Sequence, residues 1–253
     1  MTEQDHKNSY ISALNGLKKM AFGKENLWDN ARFVLADVPV DKKAASRRLP
    51  WGLKLTDPPT ATLFIVDYTK TSFTRPYHEA ALLLHVKHLF GAGLHCPWMI
   101  VDDDTAMIYG RELLGYPKKS GEFVFDEDDE KVSASLTRKG AKVISMSGEK
   151  GEKQEKPAPV FDVKTFNVGG PGSLFVINPI WMFRPTEVIH ESLAMDGKVS
   201  IEHSEFDPIA ELIAGDPMSG RFVVMDIVKS RYNVPVGLCG PKYLHTNMDI
   251  RFL

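Results

Sequence analysis

The chain has 253 residues, is 43% hydrophobic and carries a formal net charge of -2 at pH 7. That length is enough for one large domain or two small ones with a buried core. Near-neutrality argues against a nucleic-acid partner, which needs a basic surface. The two cysteines, Cys96 and Cys239, lie far apart; this suggests neither a disulfide framework nor a thiolate zinc site and fits a reducing cytoplasm. The polar start Met-Thr-Glu-Gln-Asp-His leads into no signal peptide. No apolar run approaches the ~20 residues of a membrane helix, so a soluble cytoplasmic protein is expected.

Within 9–22, Tyr10, Leu14, Leu17 and Ala21 recur at helical spacing with Lys18 and Lys19 on the polar side. This predicts an N-terminal helical extension over 1–25, packed on the domain or on another subunit. Residues 30–35 read as a strand, and Asp41 is a good N-cap for a short helix through Arg48, stopped by Pro50. From there the runs are alternating or continuously apolar, predicting strands at 61–68, 79–86, 98–101, 106–109, 121–125, 132–137 and 142–146. The mixed charges of 148–159 predict an exposed loop. Further strands are predicted at 173–178, 186–193, 198–202 and 220–228, interrupted by a short helix that Asp207-Pro208 starts. Roughly ten short strands, few helices and no parallel strand-helix-strand alternation predict one domain, 1–253. Its class is α+β and predominantly antiparallel β, closed into a barrel or cone with a few flanking helices.

Residues 110–121 read Gly-Arg-Glu-Leu-Leu-Gly-Tyr-Pro-Lys-Lys-Ser-Gly. Pro117 fixes the backbone beside Lys118, and the mostly apolar stretches 101–109 and 113–116 predict a buried approach to Lys118 and Lys119. Two ammonium groups in a partly dry cavity repel each other and lose hydration, which favours a neutral amine. Such an amine is a nucleophile that can form a Schiff base with a ketone. His85-x-x-His88 has no acidic third ligand at a usual metal spacing. Gly169-Gly170-Pro171-Gly172 lacks the Lys-Ser/Thr of a phosphate loop and reads as a turn, while Asp102-Asp103-Asp104 reads as a hairpin acid cluster.

The pattern Gly-Arg-Glu-Leu-x-x-Tyr-Pro-Lys-Lys resembles the active-site signature of the acetoacetate decarboxylase family, itself the standard illustration of a lysine activated by a second cation. Pro-Tyr-His-Glu-Ala-Ala-Leu-Leu-Leu at 76–84 and Leu-Pro-Trp-Gly-Leu at 49–53 extend the resemblance. It implies a closed β-rich barrel, a homo-oligomer, and no metal or organic cofactor beyond the lysine Schiff base. It further implies that Lys118 forms the imine, that Lys119 keeps it unprotonated, and that Glu79 is an active-site glutamate that shuttles a proton or orients the imine. A second family glutamate aligns with Phe64; Asp67 is the nearest carboxylate and reaches that place only through a register shift or bulge. The family arginine falls at Ala31 or Arg32, which makes Arg32 a candidate for gripping a substrate carboxylate. Arg111 and Glu112 belong to the matched signature; read as strand residues they point to opposite faces, with Glu112 a buried acid behind the site. Met99 and Trp98, on the strand before, and Tyr116 are candidate pocket walls.

The resemblance implies decarboxylation of a small β-keto acid, acetoacetate to acetone and carbon dioxide first among them. Two other readings stay open. One is an aldolase-dehydratase acting on pyruvate-like substrates through the same imine, which Phe64 favours. The other is a non-catalytic small-molecule-binding barrel.

Overall fold

Long strands, several of them buried on both faces, set the architecture of the computed structural model, which describes residues 26–174 and 177–252. The helix expected within 9–22 lies outside the described residues. In chain order come β1 (Trp28–Pro39), α1 (Lys42–Arg47), β2 (Lys54–Leu55), β3 (Thr60–Tyr68), β4 (Lys70–Thr71), β5 (Tyr77–His88) and β6 (Gly91–Val101). Next are α2 (Asp104–Leu114), β7 (Lys118–Ser120), β8 (Glu122–Glu127), β9 (Lys131–Arg138), β10 (Ala141–Lys153) and β11 (Lys164–Val168). The chain ends with β12 (Asn178–Ile201), a 3-10 turn at Ala210–Leu212, β13 (Ser219–Cys239), α3 (Pro241–Thr246) and α4 (Met248–Phe252). No helix among the described residues is long and apolar enough to cross a membrane.

Seven strands close a barrel in the order β11-β6-β5-β3-β1-β13-β12, with β12 returning to pair with β11. From β12 the sheet continues through β10, β9 and β8. Successive strand residues face opposite ways, so the wall separates two apolar layers. The inner layer holds Phe33, Phe64, Val66, Tyr68, Tyr77, Leu83, Met99 and Val223. The outer layer joins Leu63, Ile65, Leu82, Trp98 and Ile100 of the wall to Leu136 of β9 and Ile144 and Met146 of β10. The strand extension thus covers the barrel's outer face and keeps that face dry. The expected mostly antiparallel closed barrel with few helices is what the chain adopts.

Several local expectations differ from the structure. Residues 106–109 are not a strand but the middle of α2: a short apolar run has no strand-specific signature, and Asp103 caps the helix by accepting from the Ala106 N–H at 2.8 Å. Asp102-Asp103-Asp104 is therefore a helix entry rather than a hairpin. β6, α2 and β7 form one parallel crossover, since β7 pairs parallel with β6, contrary to the expectation of none. The loop expected over 148–159 starts later: β10 runs to Lys153, because its charged residues extend a strand paired with β12. The strands expected at 186–193 and 198–202 are one bulged strand, β12. The helix expected after Asp207 is only the turn Ala210–Leu212. The strand expected at 173–178 falls partly outside the described residues, and β12 begins at its last position. The Asp41-capped helix is present as α1, with Asp41 accepting from the Ala44 N–H at 2.7 Å.

Candidate active site

β7 brings the charged pair to the barrel wall, and its pleat separates them. Gly115 ends α2 in the left-handed region at φ 70°, a conformation glycine adopts without strain. The chain then turns through Tyr116 and Pro117 and aligns Lys118 with Met99 and Lys119 with Ile100 of β6. Lys118 enters the inner layer, where its Nζ lies 2.6 Å from Glu79 Oε2. Lys119 enters the outer layer, where its Nζ lies 2.7 Å from Asp207 Oδ1. The two ammonium groups therefore serve different layers. The neighbour that faces Lys118 is a carboxylate, not Lys119.

Gly110 explains one position of the signature. It sits on α2 against the lysine, and a Cβ there would overlap Lys118 Cδ and Cε and lie 3.0 Å from Nζ. Arg111, also on α2, donates to the Lys118 carbonyl at 2.9 Å and so pins β7 to the helix. Glu112 is exposed on the opposite side; the expectation of a buried acid fails because a helix, unlike a strand, turns this residue to solvent.

The inner pair is buried, Glu79 at 4% exposure and Lys118 at 6%. Burial pushes the Glu79 carboxyl above its ordinary value, against the pull of the Lys118 ammonium and a hydrogen bond with Tyr68. The Lys118 Nζ also lies 5.8 Å from the Tyr77 ring centre and 5.9 Å from that of Tyr116. Burial, reinforced by the Glu79 charge, drives the Tyr68 and Tyr77 hydroxyls well up, so both remain protonated donors. Tyr77 is fixed in turn, accepting from Trp28 Nε1 at 3.0 Å.

A cavity of about 630 Å³ opens beside this pair and is lined by Trp28, Tyr68, Phe73, Met99, Tyr116, Phe161 and Phe183, among others. Met99 and Tyr116 are thus pocket walls as expected. Trp98 is not, because it faces the outer layer. Phe64 belongs to the inner layer but not to the cavity lining; it is fully buried and packed against Phe33 and Phe161 at ring separations of 5.4 and 5.6 Å. Asp67 cannot replace the missing glutamate: β1 and β3 pair without a break from Arg32 opposite Asp67 to Pro39 opposite Thr60. No bulge brings Asp67 inward. Arg32 shares its outward parity, pairs with Glu127 at 3.2 Å and is 46% exposed; it does not reach the cavity. Tyr68, Phe161 and Phe183 carried no motif; the two-residue period of β3 and β12 places Tyr68 and Phe183, whereas Phe161 lies in the segment before β11, outside any strand.

The outer cluster is as well defined. Asp207 is fully buried and accepts from Trp98 Nε1 at 2.7 Å and from Arg138 Nη1 at 2.9 Å, besides Lys119. Burial raises its carboxyl, but Lys119, Trp98 and Arg138 together outweigh that and hold it below its ordinary value. Burial lowers Lys119 to about 8 despite Asp207; Arg138 already balances that carboxylate. His85 is held between the hydroxyls of Thr60 and Thr62, each at 2.9 Å. Among the described residues no group of three or more His, Cys, Asp or Glu side chains is arranged to hold a metal ion.

This geometry can be set beside known proteins. The family model described as acetoacetate decarboxylase (ADC) matches residues 14–235. Decarboxylase DEC1 of Cochliobolus heterostrophus is 30% identical over 96 residues, an alignment that spans only 38% of this chain and 38% of that protein. Among solved structures, an acetoacetate decarboxylase from Legionella pneumophila superposes with a TM-score of 0.71 at 15% identity, covering 84% of this chain and 87% of that one. The enduracididine biosynthesis enzyme MppR complexed with pyruvate gives 0.71 at 17% identity, covering 82% and 89%. At such identities the solved structures share the fold. The family match is broader, taking in the barrel and the strand that carries Lys118, and the chain belongs to the acetoacetate decarboxylase family.

Proposed function

We propose that the protein is a Schiff-base lyase that decarboxylates a β-keto acid at Lys118. The observation that carries this reading is the buried Lys118–Glu79 contact at 2.6 Å, opening on an apolar cavity. An ammonium and a carboxylate removed from water can lower their joint cost by moving one proton, and burial already raises the proton affinity of Glu79. Transfer from Lys118 to Glu79 leaves a neutral amine facing the cavity.

That amine attacks the ketone carbon of the substrate, and Glu79 returns its proton to the departing hydroxyl, which leaves as water. The resulting iminium is an electron sink next to the carbon that bears the carboxylate. The carbon–carboxylate bond breaks, its electron pair forms an enamine, and carbon dioxide departs. A proton added to the enamine carbon restores the imine, and water releases a methyl ketone and the free amine. One proton is consumed for each carbon dioxide formed. Glu79 is the group placed to move protons at nitrogen. The imine supplies the electron withdrawal for which other enzymes recruit a cofactor.

The lining favours loss of the carboxylate over its retention. Among the described residues the cavity lining contains no arginine, and its cations are Lys118 and the exposed Lys229. An aldolase-dehydratase keeps the carboxylate of its pyruvate-like substrate through the whole cycle and needs a counter-charge for it. A decarboxylase gains from an apolar surrounding that the charge leaves. Glu79, Met99 and Tyr116 are the substrate-facing residues of this reading, and Arg32, Phe64 and Glu112 have no part in the chemistry. The substrate is a small keto acid, and the two buried free cysteines suit a reducing cytoplasm.

The test is product analysis. β-Keto acids incubated with the protein should yield stoichiometric carbon dioxide and methyl ketone. Keto-acid consumption without carbon dioxide, with condensation and dehydration products once an aldehyde is added to pyruvate, would replace this reading by the aldolase one.

A further inference from the structure

The cavity is much larger than acetoacetate requires. At about 30 Å³ of liquid volume per water, its roughly 630 Å³ corresponds to about twenty non-hydrogen atoms. Acetoacetate, counted this generously, fills about a third. The remaining space is not polar. Among the described residues only three charged side chains line the cavity: Glu79 and Lys118 at the buried end, and Lys229 at the exposed rim with Ser230 and Asn233. Between these ends the surface is aromatic and aliphatic. Trp28 packs against Phe73 at 5.3 Å in an edge-to-face pair. Tyr116 and Phe183 form another such pair at 5.7 Å, and Phe161 and Ile227 add to the walls. Water confined there finds few hydrogen-bond partners, and an apolar group that displaces it gains on entry.

The polarity runs one way along the cavity. A carbonyl carbon must lie at Lys118 for imine formation, so the head of the substrate is fixed at the buried end. Whatever is attached to that carbon then extends along the aromatic walls toward the rim. We propose that the substrate is a β-keto acid whose keto carbon carries an aryl group or an alkyl chain of about six to ten carbons, rather than the methyl group of acetoacetate. This rests on the Schiff-base decarboxylase reading and specifies the substrate of that same site. The reaction is R–CO–CH₂–COO⁻ plus a proton giving R–CO–CH₃ and carbon dioxide, with R the apolar group.

Two measurements separate this proposal from the reading it rests on. The first compares kcat/KM of the wild-type protein for benzoylacetate, 3-oxodecanoate and acetoacetate by carbon dioxide release. The second measures binding of acetophenone and of acetone to Lys118→Ala, which cannot form an imine, by calorimetry. A hydrophobic pocket discriminates about tenfold or more for each methylene it holds. The expectation is at least a tenfold higher kcat/KM for one of the two larger acids than for acetoacetate, with acetophenone bound at least tenfold more tightly than acetone. Decarboxylation of acetoacetate in preference to both larger acids, with no preference for the aryl ketone, would overturn the proposal and leave the decarboxylase reading standing. Aryl-ketone binding without carbon dioxide from any acid would overturn both and leave only an apolar binding site.

Discussion

Lys118 and Lys119 are the same side chain one residue apart, and the barrel wall gives them opposite surroundings. Inside, Lys118 meets one carboxylate, Glu79, whose proton affinity burial has raised, and both border a cavity. Outside, Lys119 meets Asp207, a carboxylate already taking hydrogen bonds from Trp98 and Arg138 and held below its ordinary value. Lys119 does not line that cavity. In the proposed mechanism a buried lysine is reactive where its partner can accept a proton and a substrate has room. It becomes a tie where its partner is saturated and the space is filled. Two chain features enforce the split: the two-residue period of β7, and the sheet extension β8–β10 that seals the outer face.

The largest effect expected is on Lys118→Ala. Removing the nucleophile should lower kcat/KM by about 10⁴-fold or more, while costing less stability than changes on the outer face, because Glu79 can take up a proton beside the cavity. Steady-state kinetics together with urea unfolding would show it; a variant that keeps activity breaks the comparison at its inner half. Asp207→Asn should do the reverse. It strands Lys119 and Arg138 without their carboxylate and should cost about 3–5 kcal/mol of stability. A folded pKa below the ordinary carboxyl value, 3.8 here, contributes stability above that value and loses it as pH falls through the folded one. The gap between variant and wild type should therefore close as unfolding is measured at pH values falling below 3.8.

Glu79→Gln sharpens the inner half. It keeps shape and removes the proton acceptor, so kcat should fall about 10²–10⁴-fold, with the folded state retained by circular dichroism. A smaller test addresses Lys119. With its pKa at about 8 in the fold against 10.5 ordinarily, the unfolded chain binds the extra proton between those pH values, so stability rises with pH across that window. Lys119→Met should flatten the rise in denaturation midpoints. The smallest effect belongs to Arg32→Ala. An exposed ion pair is worth at most about 1 kcal/mol, and activity should stay within about twofold of wild type.

Much of the inner half was legible in the sequence. The match at 110–119 picked out Lys118, the match at 76–84 picked out Glu79, and strand alternation anticipated a closed β-barrel. The helix α2 was not, because Ala106-Met107-Ile108-Tyr109 is too short an apolar run for period to distinguish strand from helix. The available signals were its caps, Asp103 before it and Gly115 after. Reading α2 as strand also misplaced Glu112, which the helix turns outward. Nothing in the sequence linked the residues of the outer half. Trp98, Lys119, Arg138 and Asp207 are separated by up to 109 residues, and only the folded sheet extension unites them. The role expected for Lys119 followed from adjacency in sequence, whereas adjacency across a pleated strand separates side chains.

The most direct test of the division is borohydride reduction in the presence of a β-keto acid or its ketone product, followed by peptide mapping. One reduced adduct per chain on Lys118, with Lys119 unmodified, is the predicted result. An adduct on Lys119, or none on either lysine, would contradict the assignment of chemistry to the inner face.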